Sequence, residues 1–368
     1  VTDVIKISSL FLSMCVAMVL LPSSIMAQAA GDVQSPQTPD RFHLGGFGDL
    51  DLRHSFTSGQ DAFDSAELDL YFTAQLSDNW SALGEVLAQR TRNDADVEAR
   101  ITKPTELDIE RLYLAYSSSD LLRIEAGQVH TGLVRWNERE HRGRFLQTSI
   151  DVPAIARREE QGGAWPLHFV GFWGSGLLPG PLGLTYGLGV GEGRGKVRDE
   201  IQPLADPEST PAAVVSLGVA PDAVPGLELG VSAYRGRIPS PEGHLRELDR
   251  TVSASYVSGS LEFRSEWSRM NHTLISDGHK FTTSGSYALL SYRLKGNLQK
   301  LRPYLLLDHL SLPETERYLD KVRETKAWAA GVRWDLSSRV ALKFDFRSQT
   351  IADRPDENLL RLQAAFNF

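Results

Sequence analysis

Charge chemistry is densest in one stretch of this chain. Residues 131–164 read "TGLVRWNEREHRGRFLQTSIDVPAIARREEQGGA" and hold Arg135, Arg139, Arg142, Arg144, Arg157 and Arg158 among Glu138, Glu140, Asp151, Glu159 and Glu160. Guanidinium groups bind carboxylates and other anions through paired N–H donors. A connection this long usually has a task. Folded into a hollow structure it would narrow the hollow; left outside it would be a solvated loop. Its apolar interludes, Phe145, Leu146, Val152 and Ile155, predict that it packs against something. Arg135, Arg139, Arg142, Arg144, Asp151, Arg157 and Arg158 are therefore the candidates for a constriction.

Enzyme chemistry finds little support in the same residues. No GxSxG elbow occurs. "GLGVGEGRG" (187–195) lacks the GxGxxG spacing of a dinucleotide turn, and alternating glycines within a strand fit close approach or curvature better. His130 and His141 flank the long connection without the spacing of metal ligands. Cys15 is the single cysteine, so neither a disulfide framework nor a thiolate metal site is expected. No cofactor and no metal are implied. A net charge of −8 argues against a nucleic-acid partner.

The elements that must position the charges are strands. Leu68, Leu70, Phe72, Ala74 and Leu76 share one parity, and Glu67, Asp69, Tyr71, Thr73 and Gln75 the other. In a strand, parity is face. The same alternation recurs in sixteen runs: 41–56, 63–77, 79–90, 106–117, 121–130, 165–175, 181–192, 211–220, 227–236, 247–258, 259–270, 282–294, 299–311, 324–337, 338–350 and 358–368. The fourth run is ambiguous, because Leu112 and Leu114 fall out of parity with Leu107 and Ile109. Short turns such as "SDN" (77–79), "SSSD" (117–120) and "LPGP" (178–181) alternate with longer, more polar connections. That alternation, with about ten residues per strand, is the pattern of a transmembrane antiparallel β-barrel. Sixteen strands are expected; 14 or 18 also fit the spacing. In lipid no backbone group can go unpaired, so the sheet must close and the final run, ending at Phe368, is expected to pair with the first. Trp80 and Trp334 fall near short-turn ends, and Trp165 and Trp328 near long-loop ends, where aromatic residues border lipid and water. A soluble aromatic core is the competing reading of those tryptophans.

The first residues differ. Leu10–Leu21 is a short apolar core after Lys6 and before "AQA" (27–29), which reads as a signal peptide over residues 1–29. Residues 30–40 form a Pro-containing linker, and 41–368 the barrel.

Sorting the wet faces gives two walls. Asp49, Asp51, Glu67, Asp69 and Glu85 come from the first three strands; Arg264, Arg293, Arg302, Arg333, Lys343, Arg347 and Arg361 come from the last six. Glu262, Glu266, Asp335 and Asp345 dilute the basic wall. Opposed walls would set a field across a water-filled lumen, or the charges would simply pair with one another.

Residues 106–132, "ELDIERLYLAYSSSDLLRIEAGQVHTG", resemble the segment of phosphate-selective porins and related porin-like proteins in which a strand ending in "GQ" leads into the constriction loop. Arg123, Gly127 and Gln128 match that strand end, whereas Thr131-Gly132-Leu133 stands in place of the usual Pro-Phe. The resemblance, which covers about residues 106–195, implies a sixteen-stranded, trimeric pore in the outer membrane of a Gram-negative bacterium. It does not carry phosphate specificity over, because this loop has no lysine and nearly balanced charge. The expectation is weakly selective diffusion of small hydrophilic solutes or ions through a barrel whose partners are membrane lipid and two further copies. An anion- or phosphate-preferring channel, an adhesion barrel and an outer-membrane lipase are the alternatives.

Overall fold

The structure is a computed structural model that describes residues 41–91, 106–140, 143–195, 211–240, 243–316 and 318–368. The signal and linker expectations, and Arg142, lie outside the described residues. The strands are β1 (Phe42–Ser55), β2 (Asp61–Gln75), β3 (Trp80–Thr91), β4 (Glu106–Ser119), β5 (Leu122–His130), β6 (His168–Leu178), β7 (Leu184–Glu192) and β8 (Pro211–Val219). They continue as β9 (Leu227–Ile238), β10 (Leu245–Ser258), β11 (Leu261–Leu274), β12 (Lys280–Tyr292), β13 (Leu301–Ser311), β14 (Thr325–Asp335), β15 (Val340–Ile351) and β16 (Glu357–Asn367). Among the described residues between β5 and β6 lie one short α-helix, α1 (Arg135–Glu140), and two single 3-10 turns, Ala154–Ala156 and Glu159–Gln161.

Each strand pairs antiparallel with the next, and β16 returns to β1, so the sixteen strands form a closed barrel without an edge. The closing seam runs from Ser55 opposite Leu359 to Phe47 opposite Asn367, and Gly46 and Phe368 exchange backbone hydrogen bonds of 3.1 and 3.0 Å. Gly46 and Gly48 leave room there: a Cβ on either would fall 2.4–2.5 Å from the Phe368 or Phe366 ring.

Face follows parity as the sequence predicts. Leu44, Leu50, Leu68, Leu70, Val86, Leu188 and Leu217 are exposed on the outside, while Asp49, Asp69, Glu85, Lys343 and Arg347 are buried inside. Water would not tolerate so broad an apolar exterior, whereas hydrocarbon requires it. Trp80, Trp328 and Trp334 stand exposed on the outer face. Trp165 does not. β6 starts at His168, three residues later than the alternation suggested, and Trp165 is buried inside, where its ring approaches Gly285.

The ambiguous fourth run is a β-bulge. Glu85 lies opposite Arg111 but Val86 lies opposite Ile109, so Glu110 is the extra residue. The bulge flips parity, which returns Leu112 and Leu114 to the outer face shared with Leu107 and Ile109. Both Glu110 and Arg111 are buried. The "GQ" of β5 serves this bulge. The Gln128 amide donates to the carbonyls of Ile109 (2.5 Å) and Glu110 (3.1 Å). Gly127, with φ +138°, lets β5 pass within contact of Leu112.

A Cβ at position 127 would fall 2.2 Å from the Leu112 carbonyl oxygen, whereas one at Gly174 meets nothing closer than 3.9 Å. Gly127→Ala is therefore expected to destabilise the barrel by about 1–3 kcal/mol through backbone strain. Gly174→Ala should be near neutral. Urea midpoints in detergent micelles check the pair.

The glycines of β7 have a packing reason. Gly187 and Gly189 face the Trp173 ring, and Gly191 the Phe169 ring, both from β6. A Cβ at any of the three would fall 2.1–2.6 Å from its nearest neighbour.

Candidate functional site

The connection between β5 and β6 folds into the barrel, and the charged walls hold it there. Its base is closed by the Thr131 hydroxyl, which donates to the Pro166 carbonyl at 2.8 Å, and by the Thr131 N–H, which donates to Leu167 at 2.9 Å. From this base the loop crosses the lumen in three legs.

The first leg is α1. Its first N–H groups, on Arg135 and Trp136, donate to the Glu266 carboxylate of β11 at 2.7 and 2.8 Å. These are the donors a helix start leaves unsatisfied. The Tyr287 hydroxyl of β12 donates to the same carboxylate at 2.8 Å, and its ring meets Trp136 edge-on at 5.3 Å. Arg135 pairs with Glu138 at 2.8 Å and reaches Glu228 of β9 at 3.5 Å; Arg139 also pairs with Glu228. Glu140 pairs with Arg264 at 2.8 Å.

The second leg runs along β11–β16. Lys343 donates to the carbonyls of Arg144 (2.6 Å) and Ser149 (2.9 Å), and Arg333 to those of Phe145 (2.5 Å) and Gln147 (2.8 Å). The Thr148 hydroxyl donates to Glu262 at 2.7 Å, where Arg302 joins at 3.3 Å. Asp151 is the centre of this leg. Arg361 grips it with two bonds of 2.6 and 2.8 Å, and Arg347 pairs with it from the neighbouring strand. Arg361 is itself oriented by Asp345 through bonds of 2.9 and 2.7 Å. Burial opposes ionisation of the Asp151 carboxyl, but Arg347 and Arg361 outweigh it and hold it below the ordinary carboxylate range. Arg157 reaches Asp308 at 3.6 Å, and the Ala154 N–H donates to Asp308 at 3.0 Å.

Apolar packing continues this leg. Ile155 is 1 % exposed and sits over Gly285; burial of such a side chain contributes about 1.5–3 kcal/mol. Val152 packs against the inner apolar cluster, and Phe145 lies under the Arg333 guanidinium at 5.1 Å. Leu146 departs from expectation and is exposed.

The third leg returns along the acidic wall. Arg158 pairs with Glu110, the bulge residue, at 2.9 Å, and with Glu67 at 3.8 Å. Arg144 reaches Glu67 from the second leg at 3.4 Å. Glu85 pairs with Arg111. The acidic and basic walls thus exist, and the loop bridges them: its arginines meet the acids of β2 and β4, and its aspartate and carbonyls meet the cations of β14–β16.

Among the candidates, Arg144, Asp151, Arg157 and Arg158 are brace contacts, while Arg135 and Arg139 lie on the wetter α1. Arg123 faces inward beside Glu125 at 2.8 Å. Arg293 lies in the turn after β12 and reaches Asp335 at 3.6 Å. Asp49, Asp51 and Asp69 share the inward parity of their strands. Sequence reasoning missed Glu110, Arg111, Glu228 and Asp308. For the first two the signal was present: a charged pair at the point where the apolar parity flips.

Exposure shows where water reaches. The side chains of Arg123, Arg135 and Arg139 are 38, 33 and 36 % exposed, against 3 % for Arg347 and 8 % for Arg361. A hollow of about 760 Å³ opens at the short-turn end beneath α1, lined by Asp78, Asp120, Arg123, Arg135 and Glu138 among others. The lumen is wet at the short-turn end of β5–β9, whereas the long-loop half of the same wall, with Val129, Phe169, Val214 and Tyr234, is buried and apolar, and the side nearest β13–β16 is largely buried.

No known protein-family pattern matches the chain, and no curated protein is detectably similar in sequence. Solved structures are similar in fold. OmpF of Salmonella typhi superposes with a TM-score of 0.61 at 11 % identity, over 89 % of this chain and 97 % of that one. An anion-selective porin from Comamonas acidovorans gives 0.60 at 14 % identity, over 89 % and 99 %. The outer membrane channel DcaP of Acinetobacter baumannii gives 0.58 at 12 %, over 89 % and 97 %. The chain has the closed, antiparallel barrel fold of these porin structures.

Proposed function

We propose that this protein is an outer-membrane channel for small hydrophilic solutes, with the passage running between α1 and the β5–β9 wall. The observation that carries the reading is the division of the interior. Inside an apolar-skinned barrel the loop cements much of the lumen, and the short-turn end beside β5–β9 keeps charged side chains in contact with water. The short turns mark the periplasmic end and the longer connections the extracellular end. The wet side holds Arg123, Arg135 and Arg139 against Glu125, Glu138 and Glu228, with Asp78 and Asp120 also lining the hollow, three basic groups against five acidic. Charges of both signs side by side, acidic in slight excess, support weak selectivity rather than a phosphate or anion filter. A homotrimer in a Gram-negative outer membrane belongs to the same reading, through the resemblance of residues 106–132; cross-linking of the detergent-extracted protein tests it. The adhesin reading draws less support, because the connection from β5 to β6 is folded inside.

Single-channel recording in a planar bilayer tests the proposal, and a folded, inserted barrel that passes no current would overturn it. Arg135→Gln combined with Arg139→Gln is expected to shift permeability toward cations, since Glu138 and Glu228 lose their partners. A charge about 4 Å from a permeating ion in a water-like dielectric is worth about 1 kcal/mol, so roughly a fivefold change in cation-to-anion ratio per charge is expected. The reversal potential under a salt gradient measures it.

A further inference from the structure

Among the described residues, the outer face of the barrel is apolar over its middle and short-turn side, and its positive charge is concentrated at the long-loop end of β9–β11. There Arg235 and Arg237 share the outward parity of Leu229 and Val231, Arg246 and Arg250 that of Val252, and Arg269 that of Trp267. All five arginines are exposed. The register places Arg237 directly opposite Arg246 and Arg250 directly opposite Arg269. The acidic residues of β10, Glu247 and Asp249, are buried on the opposite, inner face. Among the described residues, no carboxylate pairs with Arg235, Arg246, Arg250 or Arg269. Like charges directly opposite on adjacent strands destabilise a sheet, and arginines at a lipid border call for an anionic partner.

The neighbouring strands add a second feature. A groove of about 560 Å³ on the same outer face is lined by two successive rows. The row toward the long-loop end is polar, with Ser286 opposite His309 and His309 opposite Lys326. The next row is apolar, with Ala288 opposite Leu307 and Leu307 opposite Trp328. Ser284, two residues before Ser286, lies opposite Arg269, so groove and arginines adjoin. Polar above and apolar below is the profile of a headgroup joined to an acyl chain.

We propose that this face binds a phosphate-bearing lipid of the outer leaflet, with its phosphate between the paired arginines and an acyl chain in the groove. Arginine chelates phosphate in a bidentate fork, and a further cation, Lys326, lines the groove, where it also reaches Glu324 at 3.4 Å. The inference rests on the barrel being embedded in lipid, but not on its conducting ions. The apolar row argues for a lipid over free phosphate, and the concentration of positive charge argues against a second copy of this chain packing the same face against itself.

The test titrates the folded, detergent-solubilised full chain with short-chain phosphatidic acid, phosphatidylcholine and inorganic phosphate, with binding read by native mass spectrometry. Phosphatidic acid is expected to bind at least about tenfold tighter than the other two, and more weakly as salt rises. Arg250→Gln with Arg269→Gln should weaken it at least about tenfold while leaving single-channel conductance unchanged. Should that variant not fold, Arg235→Gln with Arg246→Gln makes the same point. Equal binding of inorganic phosphate, undiminished lipid binding by a folded variant, or loss of oligomer without loss of lipid each overturns the proposal. A barrel that binds lipid yet passes no current would sink only the channel reading.

Discussion

Replacing Asp151 with asparagine is expected to free the middle leg of the loop and raise single-channel conductance. Asp151 is the one acidic side chain on that leg, and two guanidinium groups from adjacent strands converge on it. Asparagine keeps a carbonyl but loses the charge, so Arg347 and Arg361 remain buried with too few negative partners. Breaking a buried ion pair from one side costs about 3–5 kcal/mol. The remaining anchors of the leg are Lys343 and Arg333 on loop carbonyls, Thr148 on Glu262, and Ala154 and Arg157 on Asp308; none of them supplies the negative charge that Arg347 and Arg361 lose. Arg361→Gln should act in the same direction, and the two changes together should cost less than their sum, with a coupling of about 0.5–3 kcal/mol. Denaturant midpoints in micelles and conductance in bilayers are the two readouts. Unchanged values in Asp151→Asn would show that the leg is held by something other than this cluster.

The sign of the pH dependence follows from the same contact. Because the Asp151 carboxyl is held below its ordinary range, its contribution is complete above the unfolded value of about 4 and is lost only as the pH falls through the lower folded value. The brace should therefore be as firm at pH 5 as at pH 8, and conductance should not step in that window through this group. A step near neutrality would point to a different titrating group.

The barrel was legible because strand parity is a local property. Leu68 and Glu67 declare their faces whatever lies across the sheet, and a solvent that penalises any unpaired backbone group leaves closure as the single solution. The bulge at Glu110 was half legible: the flip between Ile109 and Leu112 was visible, but a flip alone does not say whether the strand ends or bulges. The opposed walls were also readable as parity. What they do was not, because it depends on where a long connection travels, and that is fixed by contacts distant in sequence, such as Asp151 with Arg361 or Arg158 with Glu110. Trp165 shows the same limit. Its spacing suited a membrane border, yet the loop carries it inward because Gly285 leaves a space. Charges that suggested a field across open water are mostly engaged with the loop, and the water-reached minority on α1 and β5 could be told from them only by exposure.

Glu266→Leu is expected to have the second large effect, on the wet leg. Three donors converge on this carboxylate: the N–H groups of Arg135 and Trp136 and the hydroxyl of Tyr287. Leucine accepts none of them, and each buried donor left without a partner costs about 1–3 kcal/mol. The barrel itself should survive, since β11 keeps its full backbone ladders with β10 and β12. The cost therefore falls on α1, which loses the group that fixes its first turn. Arg135 and Arg139 would then no longer be held against Glu228, and the passage beside them would fluctuate. Open-channel current noise should rise and ion selectivity should fall, with an unchanged β-sheet circular dichroism spectrum. This separates position from charge: Arg135→Gln with Arg139→Gln should move the reversal potential while leaving the noise alone, because Glu266 still holds the helix in place. If Glu266→Leu gave a quiet channel of ordinary selectivity, α1 would have to be positioned by its Trp136–Tyr287 packing and the Glu140–Arg264 pair rather than by the carboxylate beneath its first turn.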